Sequence, residues 1–391
     1  MSGRDAVVGL ASELLAVEGH EDHPANELDV AQFVARWLRN SGVSVELQPV
    51  ESGRANVVAV VRGQRPGPVL LLNAHLDTVP PYGMTDALRP RVRGERLYGR
   101  GAVDMKGAMA AMLLVVRDVA ARSAELSGEL VFAGVAGEEN GSPGMQELVR
   151  NGLRADFAVV GEPTGLRVAR AHKGAMWIEV RFTGVAAHGS TPERGVNAIH
   201  HAAEFVELVR RDLAPRLRAA PHPLLGPATI NVGVVNGGDR PPMVPAHCVV
   251  QLDRRWLPGE TYPGVLTQVR ELVDEMSGAD PGVQASVSEL PATSSFPHVP
   301  LDCPEDNAHL RHLAGICARR LGYDAEPVGV QFWTDGALLA DRTGIPTVVC
   351  GPGDIAQAHS LEEWVSVDQL EAATAIYRQL AYGMLAAGDA R

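Results

Sequence analysis

The sequence predicts an α/β protein of two domains, in which a smaller domain interrupts a mainly parallel, helix-covered sheet. Three observations lead to this prediction. The chain has 391 residues, which is more than a single compact core usually holds. Short apolar runs bounded by Gly and Pro alternate with helical patterns, as buried parallel strands do. Between residues 173 and 290 the order becomes β-α-β-β-α-β, which is typical of a ferredoxin-like domain.

The elements of the larger domain follow from the spacing of its apolar residues. Helical spacing predicts helices over residues 6–17, 28–38 and 108–119. Short apolar runs predict strands over residues 43–47, 56–61, 69–72, 130–135 and 157–160. After the insertion, the pattern predicts a helix over 308–321, a strand over 347–350 and a closing helix over 367–385. We therefore assign residues 1–172 and 291–391 to one discontinuous domain.

The inserted segment, residues 173–290, has a pattern of its own. Residues 176–182 alternate between apolar and polar, as a strand with one solvent-facing side does. The remaining elements are predicted as strands over 228–235, 248–254 and 283–290 and helices over 197–213 and 262–276. Two segments outside the insertion, 151–155 and the Pro- and Ser-rich 291–304, are predicted as loops.

Polar residues follow four buried runs of the predicted sheet. In chain order they are His75 with Asp77, Glu138 with Glu139, Glu162, and His359. A further acid, Asp104, precedes the helix at 108–119. Because ligands of open α/β sheets gather at the carboxyl ends of the strands, these groups are expected to meet on one rim. Imidazole nitrogen and carboxylate oxygen bind zinc, and a carboxylate can bridge two cations, so the pattern predicts a two-metal hydrolytic site.

Taken singly, several of these residues also fit structural roles. Asp104 could cap a helix, and Glu162 could belong to an ordinary turn. Two pairings favour a site instead. Asp77 points to the same side of an extended chain as His75, where it can orient the imidazole. Glu138 and Glu139 would repel each other at a buried strand end, so fold stability alone does not explain them.

Composition narrows the classes of partner and compartment. The formal net charge of −12 argues against nucleic acid or an anionic membrane as the main partner. The sequence contains no apolar stretch long enough for a membrane-spanning helix, and its first residues lack a signal-peptide pattern. The cysteines are too far apart for a disulfide framework or a structural zinc site: Cys248, Cys303, Cys317 and Cys350. Buried, reduced thiols in a cytoplasmic protein are therefore expected.

Taken together, these motifs resemble a known family over essentially the whole chain. The family is that of the dinuclear zinc peptidases, which includes acetylornithine deacetylase, succinyl-diaminopimelate desuccinylase, aminoacylases and glutamate carboxypeptidase. The motifs are His75-Leu76-Asp77, Gly99-Arg100-Gly101 through Asp104-Met105-Lys106-Gly107, Gly137-Glu138-Glu139, Gly161-Glu162-Pro163-Thr164, His188-Gly189-Ser190 and Ala358-His359-Ser360. The resemblance implies a catalytic domain with an inserted dimerisation domain.

The resemblance also implies a role for each site residue. It implies two zinc ions per subunit, with His75 and Glu162 on one ion and Glu139 and His359 on the other. The same donor types also suit cobalt or manganese. Asp104 would bridge the ions, and the Asp104–Met105 peptide bond would be cis. Glu138 would be the general base, and Asp77 would support His75. His188 would stabilise the oxyanion in the partner subunit's site, and Arg255 would bind the substrate carboxylate.

Three positions either depart from the motifs of the family or leave the role of a residue undecided. Met243 stands where the family often has an Asn, which puts one polar contact in doubt. Trp333 adds bulk near the expected pocket, although core packing explains it equally well. Arg254 is adjacent to Arg255, so either arginine could be the one that binds the carboxylate.

We interpret the sequence as a homodimeric, zinc-dependent amidohydrolase that releases an amino acid from its N-acyl derivative. The run from Gly351 to Ser360 is most similar to that of acetylornithine deacetylase. A dipeptidase or carboxypeptidase that uses the same machinery is the alternative. An inactive, metal-binding homologue is a third possibility, and the presence of both Glu138 and Glu139 argues against it.

Overall fold

The computed structural model describes residues 3–386, which form two units. The first unit contains the chain as far as Ala171, then Leu301–Val330 and the chain from Thr334. The second unit contains His172–Pro300 and Gln331–Trp333. No helix within the described residues is long and apolar enough to cross a membrane.

The strands of the described chain are short and numerous. In chain order they are β1 (Val45–Pro49), β2 (Ala55–Arg62), β3 (Arg65–His75), β4 (Arg91–Arg93), β5 (Arg96–Tyr98), β6 (Ser127–Val135), β7 (Phe157–Pro163), β8 (Ala169–His172), β9 (Gly174–Thr183), β10 (Ala187–His188), β11 (Thr229–Gly237), β12 (Met243–Val244), β13 (His247–Trp256), β14 (Gln284–Glu289), β15 (Leu301–Asp302), β16 (Val328–Val330), β17 (Thr347–Gly351) and β18 (Trp364–Ser366).

The helices are distributed over both units. In chain order they are α1 (Gly3–Leu15), α2 (Leu28–Asn40), α3 (Lys106–Ala120), α4 (Pro143–Arg150), α5 (Ala198–Leu208), α6 (Ala214–Arg218), α7 (Tyr262–Ala279), α8 (Pro291–Ser294), α9 (Ala308–Leu321), α10 (Asp335–Thr343) and α11 (Val367–Leu385).

The first unit is built on one large sheet with the strand order β1-β2-β6-β3-β7-β17-β8-β15, and β16 pairs with β8. The four neighbouring strands β6, β3, β7 and β17 are parallel, whereas β2 joins β6 antiparallel. The register pairs His75 with Val135 and Gly351 with Pro163, so these four strands end at one edge. The predicted mainly parallel central sheet is confirmed.

Helices cover both faces of this sheet. Leu70 and Leu72 of β3 belong to the main core together with apolar residues of α1, α2, α3, α9 and α11. Leu71 is buried on the opposite side of the same strand, because successive side chains alternate between the faces. On β7, Val160 contacts the start of α10, while its neighbour Val159 joins the main core. The run of buried residues in α3 follows from its place against the sheet.

The second unit is a four-stranded antiparallel sheet of order β11-β13-β9-β14. Its elements follow the predicted β-α-β-β-α-β order, with α5 between the first two strands and α7 between the last two. One face of β9 and β13 is apolar and buried, with Ile178 and Leu252 directly opposite each other. Strand β11 lies at the edge of the sheet and is largely exposed.

Several elements were not predicted from the sequence. The segment predicted as a loop over 291–304 contains the short helix α8 and the strand β15. The helix predicted over 197–213 begins as α5 and ends in a π-helical turn, Val209–Leu213. The helices α4 and α10 and the small antiparallel sheet of order β18-β5-β4 were not predicted either. These are short elements, in which periodicity is a weak signal.

Candidate metal centre

The carboxyl ends of three neighbouring parallel strands carry most of the predicted ligands. His75 is the last residue of β3, and Glu162 lies near the end of β7. Strand β6, on the other side of β3, ends at Val135 and leads into the 3-10 turn Glu138–Asn140. Nε2 of His75 lies 3.4 Å from Oε1 of Glu162. The sheet topology therefore brings these groups together on one rim.

Asp104 and His359 complete the cluster from two loops. Oδ1 of Asp104 lies 3.0 Å from Nε2 of His75, and its Oδ2 lies 3.2 Å from Nε2 of His359. Nε2 of His359 is also 3.1 Å from Oε1 of Glu139. The two oxygens of a single carboxylate thus face two different imidazoles. The peptide bond that follows Asp104 is cis, as expected.

The charged groups of this cluster strongly shift one another's pKa values. Burial lowers the pKa of His75, but the carboxylates of Glu162, Asp104 and Asp77 outweigh burial and raise it well above its ordinary value. Hydrogen bonds with Asp104 and Glu139 raise the pKa of His359 to about 10. Burial and the charge of Asp104 raise the pKa of Glu162. Bound cations would compensate the charge of the carboxylates in this cluster and favour their ionised forms.

Asp77 holds the turn that carries the two adjacent glutamates. Its carboxylate oxygens accept hydrogen bonds from the backbone N–H of Glu138 at 3.1 Å and of Glu139 at 3.0 Å. Its backbone oxygen lies 3.0 Å from Nδ1 of His75, and its Oδ1 lies 3.4 Å from that atom. Asp77 therefore contacts His75, as the sequence predicted, and in addition fixes the Glu138–Glu139 turn.

Gly137 enables the turn to follow β6 so closely. Its φ of 73° lies in the left-handed region, which side chains other than glycine rarely adopt. A Cβ at this position would lie 2.2 Å from the guanidinium of Arg54 and 2.9 Å from the ring of Pro143. A larger residue would displace the turn, and with it Glu138 and Glu139.

The donor set fits one or two divalent metal ions. Ligand atoms of His75, Asp104 and Glu139 lie within 4.8 Å of one another. Imidazole nitrogens and carboxylate oxygens are the donors expected for zinc, cobalt or manganese, and Asp104 is placed to bridge two ions. The structure therefore contains a candidate metal site, in which the five predicted ligands are His75, Asp104, Glu139, Glu162 and His359.

Two predicted site residues belong to the second unit. His188 lies on β10, is exposed and has its Nδ1 2.7 Å from the hydroxyl of Ser190. Arg255 lies on β13, and its Nε donates to both carboxylate oxygens of Asp253, at 2.9 and 3.1 Å. The adjacent Arg254 points to the opposite face, is fully buried and pairs with Glu260. Arg255 is thus the more accessible arginine of the two.

The other two open positions also lie in the second unit. Met243 is 45 % exposed and pairs directly with His188 across β10 and β12. Trp333 packs against His298, with ring centroids 4.6 Å apart, and its Nε1 donates to the carbonyl of Val299 at 3.0 Å. These contacts account for Trp333 as a packing residue of the second unit.

Among the buried acids of the first unit that were not predicted as site residues, Asp335 and Glu363 affect site residues directly. Asp335, the first residue of α10, is 1 % exposed, and burial raises its pKa to about 7. Among the neighbouring charges that raise the pKa of Glu138, the charge of Asp335 has the largest effect. The second acid, Glu363, contacts the segment that carries Asp104. The adjacent acids Glu362-Glu363 repeat the signal that identified Glu138-Glu139, and this repetition could have indicated Glu363.

Comparisons with known proteins agree on one family. The model of the peptidase family M20/M25/M40 matches residues 71–383. Acetylornithine deacetylase from Proteus mirabilis is 32 % identical over 370 residues, which cover 89 % of this chain and 88 % of that protein. Acetylornithine deacetylase from Yersinia pestis is 33 % identical over 367 residues, with 89 % and 88 % covered.

Solved structures share the same fold. A dinuclear metal-binding peptidase of the M20 family from Bacillus subtilis has a TM-score of 0.73 at 17 % identity, covering 98 % of this chain and 99 % of its own. A tripeptidase from Staphylococcus aureus has a TM-score of 0.78 at 22 % identity, with 96 % and 97 % covered. At these identities the likeness concerns the fold.

The family match and the relatives agree with the chemistry of the rim. A buried cluster of imidazoles and carboxylates beside a pair of adjacent glutamates suits metal-dependent hydrolysis of an amide bond. The chain therefore belongs to the peptidase family M20/M25/M40 and is a metal-dependent hydrolase that acts on amide bonds.

Proposed function

We propose that this enzyme is a zinc-dependent deacylase of N-acyl-amino acids, similar to acetylornithine deacetylase. One observation carries the proposal: a half-buried glutamate, Glu138, stands beside the proposed ligand Glu139 at the rim where His75, Asp104 and His359 meet. The acetylornithine deacetylases at 32–33 % identity support the choice of substrate class. A dipeptidase or carboxypeptidase with the same site is the alternative.

Each proposed ligand has a place in a two-metal arrangement. His75 and Glu162 would hold one zinc ion, Glu139 and His359 the other, and Asp104 would bridge both. Cobalt or manganese could substitute in the same donor set. When bound, the two cations would lower the pKa of water and polarise the scissile carbonyl.

Glu138 is proposed as the general base. Loss of solvent around its carboxyl, together with the charges of Asp335 and Glu162, raises the pKa of Glu138 well above the ordinary value. A carboxylate with high proton affinity can take a proton from the attacking water and pass it to the leaving amine. Asp77 contributes by fixing the backbone of the turn, which keeps Glu138 oriented towards the rim.

Arg255 is proposed to bind the carboxylate of the released amino acid. Strand alternation separates it from Arg254, whose guanidinium is committed to Glu260 in the interior. Asp253 orients Arg255 through Nε. The planar guanidinium can form two parallel hydrogen bonds with a carboxylate, which Lys cannot match.

We further propose a homodimer built through the inserted domain, residues 173–290, with residues 1–172 and 291–391 as the catalytic domain. The edge strand β11 carries Val234 and Val235, which are 45 % and 56 % exposed. An exposed edge strand with apolar side chains is a template for pairing with a second copy. Such a dimer would let His188 serve the partner subunit's site.

A cytoplasmic location is also part of the proposal. All four cysteines are free and buried. Reduced thiols are typical of proteins in reducing compartments.

A substrate panel tests the proposed reaction. The purified protein, loaded with zinc or cobalt, is offered N-acetyl-amino acids beside dipeptides that have a free amino end. We expect amine release from the acetylated substrates, loss of activity with a chelator and recovery with either metal. Preference for the dipeptides would favour the alternative, and full activity in metal-free protein would reject both.

Mixed dimers test the shared site. Glu138→Ala and His188→Ala proteins are unfolded together and reassembled. Each mixed dimer then has one site with both groups and one with neither. Because random mixing makes about half of the dimers mixed, activity should recover to roughly a quarter of native. If dimer exchange is verified and no activity returns, His188 does not act in the partner subunit.

A further inference from the structure

A buried carboxylate joins the two loops that carry Asp104 and His359. Glu363 lies four residues after His359 and is 1 % exposed. Its Oε2 accepts a hydrogen bond from Nη1 of Arg100 at 2.6 Å. Its Oε1 accepts from the backbone N–H of Val103 at 3.0 Å and of Asp104 at 3.3 Å. One side chain of the loop that carries His359 thus binds both ends of the segment from Arg100 to Asp104, and it pairs with the charge of Arg100.

The small sheet explains why these loops meet. Strand β5 runs into the loop that contains Arg100 and Asp104, and strand β18 begins just after Glu363. The two strands are antiparallel, with Tyr98 opposite Trp364. The exit of β5 and the entry of β18 therefore lie at the same end of the ladder, although the loops are about 260 residues apart. The backbone N–H of Gly99 also donates to the carbonyl of Glu363, at 3.2 Å.

The contacts of Glu363 act on the backbone beside a ligand rather than on the ligand side chain. A backbone N–H fixed by a buried acceptor limits rotation of the residue that carries it. Asp104 must present one oxygen to His75 and the other to His359, at 3.0 and 3.2 Å. A small rotation of its backbone would move both oxygens. The Arg100 guanidinium, itself 2 % exposed, anchors the opposite end of the same loop through Glu363.

We propose that Glu363 is a positioning residue of the metal centre, which sets the orientation of Asp104 relative to His359 and thereby the affinity for the ions that Asp104 bridges. The inference rests on the proposed ligand set. It goes beyond that set because Glu363 is not one of the five proposed ligands and acts through the Asp104 segment. Outer residues that orient metal ligands typically change metal affinity or activity by about 10–100-fold when they are replaced.

Glu363→Gln tests the proposal, with Glu362→Gln as a matched control at the exposed neighbouring acid. The glutamine loses the charge that pairs with Arg100 and has only one acceptor oxygen, so its side chain cannot hold the Arg100 guanidinium and the backbone N–H groups of Val103 and Asp104 at the same time. Zinc affinity is measured by competition with a chromophoric chelator, and the visible absorption of the cobalt-loaded protein reports the coordination geometry. We expect Glu363→Gln to bind zinc about 10–100-fold more weakly and to alter the cobalt spectrum, while Glu362→Gln matches the unchanged protein. At saturating metal, kcat should fall more than KM rises.

Melting curves in the presence of a chelator separate positioning from simple stabilisation. If Glu363→Gln melts at a lower temperature without metal but binds zinc as tightly as the Glu362→Gln control, Glu363 only stabilises the fold and the inference is overturned. If Glu363→Gln does not fold, Glu363→Asp, which keeps the charge on a shorter side chain, is judged by the same comparison of zinc affinity. If the unchanged protein binds no metal ion, the proposed ligand set itself fails, which is a different outcome from failure of Glu363.

Discussion

The proposed site residues of the two units differ in how deeply they are buried and in how far apart in the sequence their contact partners lie. In the first unit, His75 and Asp104 are buried and lie 3.0 Å apart, and His359 reaches Glu139 across 220 positions of the chain. In the second unit, His188 and Arg255 are more exposed, and each contacts a residue two positions away. Buried clusters of opposite charge demand compensation and suit tightly held ions, whereas exposed groups suit contacts that form and break in each catalytic cycle.

The first unit shows a second contrast within its own cluster. The His75 side chain is 1 % exposed and sits at the end of a central strand. The His359 side chain is 50 % exposed and lies on a loop, where its φ of 58° is left-handed. A ligand on a loop has fewer packed neighbours to hold it. We therefore expect the two halves of the proposed site to differ in how readily they release metal.

The largest expected effect separates the two adjacent glutamates. Glu138→Gln should keep its metal content and lose turnover by roughly 10²–10⁴-fold, because only the proton carrier is removed. Glu139→Gln should lose metal from one position. Metal analysis of both proteins beside single-turnover kinetics decides the matter. The reverse pattern would exchange the roles of the two residues.

The next effect tests the contrast between His75 and His359. His359→Ala should lose one of the two expected zinc ions and keep the ion held by His75 and Glu162. His75→Ala should lose both, because its imidazole meets the bridging Asp104 as well as Glu162. In the unchanged protein, a chelator titration should remove the ions in two stages. If both ions leave in a single stage and both variants lose the same amount of metal, the difference in burial between His75 and His359 does not give the two ions different affinities.

A smaller effect is expected at Arg255. Arg255→Ala should mainly raise KM for an N-acyl-amino acid, because a fixed carboxylate contact stabilises ground and transition states alike. Charge-assisted contacts of this kind contribute about 1.5–3 kcal/mol, which corresponds to roughly ten- to 150-fold. The carboxamide analogue serves as the control, since it lacks the charge. Equal losses on both substrates would contradict a carboxylate role.

The smallest effect concerns pH and the metal-free protein. The pKa of His359 is raised to about 10, from an ordinary value near 6.5, by Asp104 and Glu139. Its charged form therefore stabilises the metal-free fold fully below pH ~6.5, and this contribution is lost as pH rises towards ~10. We expect the Tm of metal-free protein to fall by a few degrees over this range. Added zinc should raise the Tm more at higher pH, because metal ligands bind deprotonated.

His359→Gln should flatten this dependence of the metal-free Tm on pH. The exposed His200 of the second unit provides the matched control, as His200→Gln leaves the cluster intact. A slope that persists in His359→Gln would assign the dependence to other groups.

The sequence by itself determined which residue types stand at the strand ends. Apolar runs that need burial on both faces predict a parallel sheet, and His75, Glu139 and Glu162 follow such runs directly. Parallel strands end at one edge of the sheet, and ligands of such sheets bind at that edge. These two facts were sufficient to place the three residues together. The β-α-β-β-α-β order of the insertion was visible for the same reason, since each element has a regular period.

Tertiary structure alone decided the contacts between loops that are distant in the chain. Periodicity carries no information on which loop faces which, so the ladder of β5 and β18 and the hold of Glu363 on the Asp104 segment were not predicted. The same holds for Asp335, which follows a Thr at a helix start and reads locally as part of a cap. Its burial beside Glu138 depends on how α10 packs on the sheet. The local sequence pattern determines which charged groups are available. Packing determines which of them are buried close enough to shift one another's pKa values.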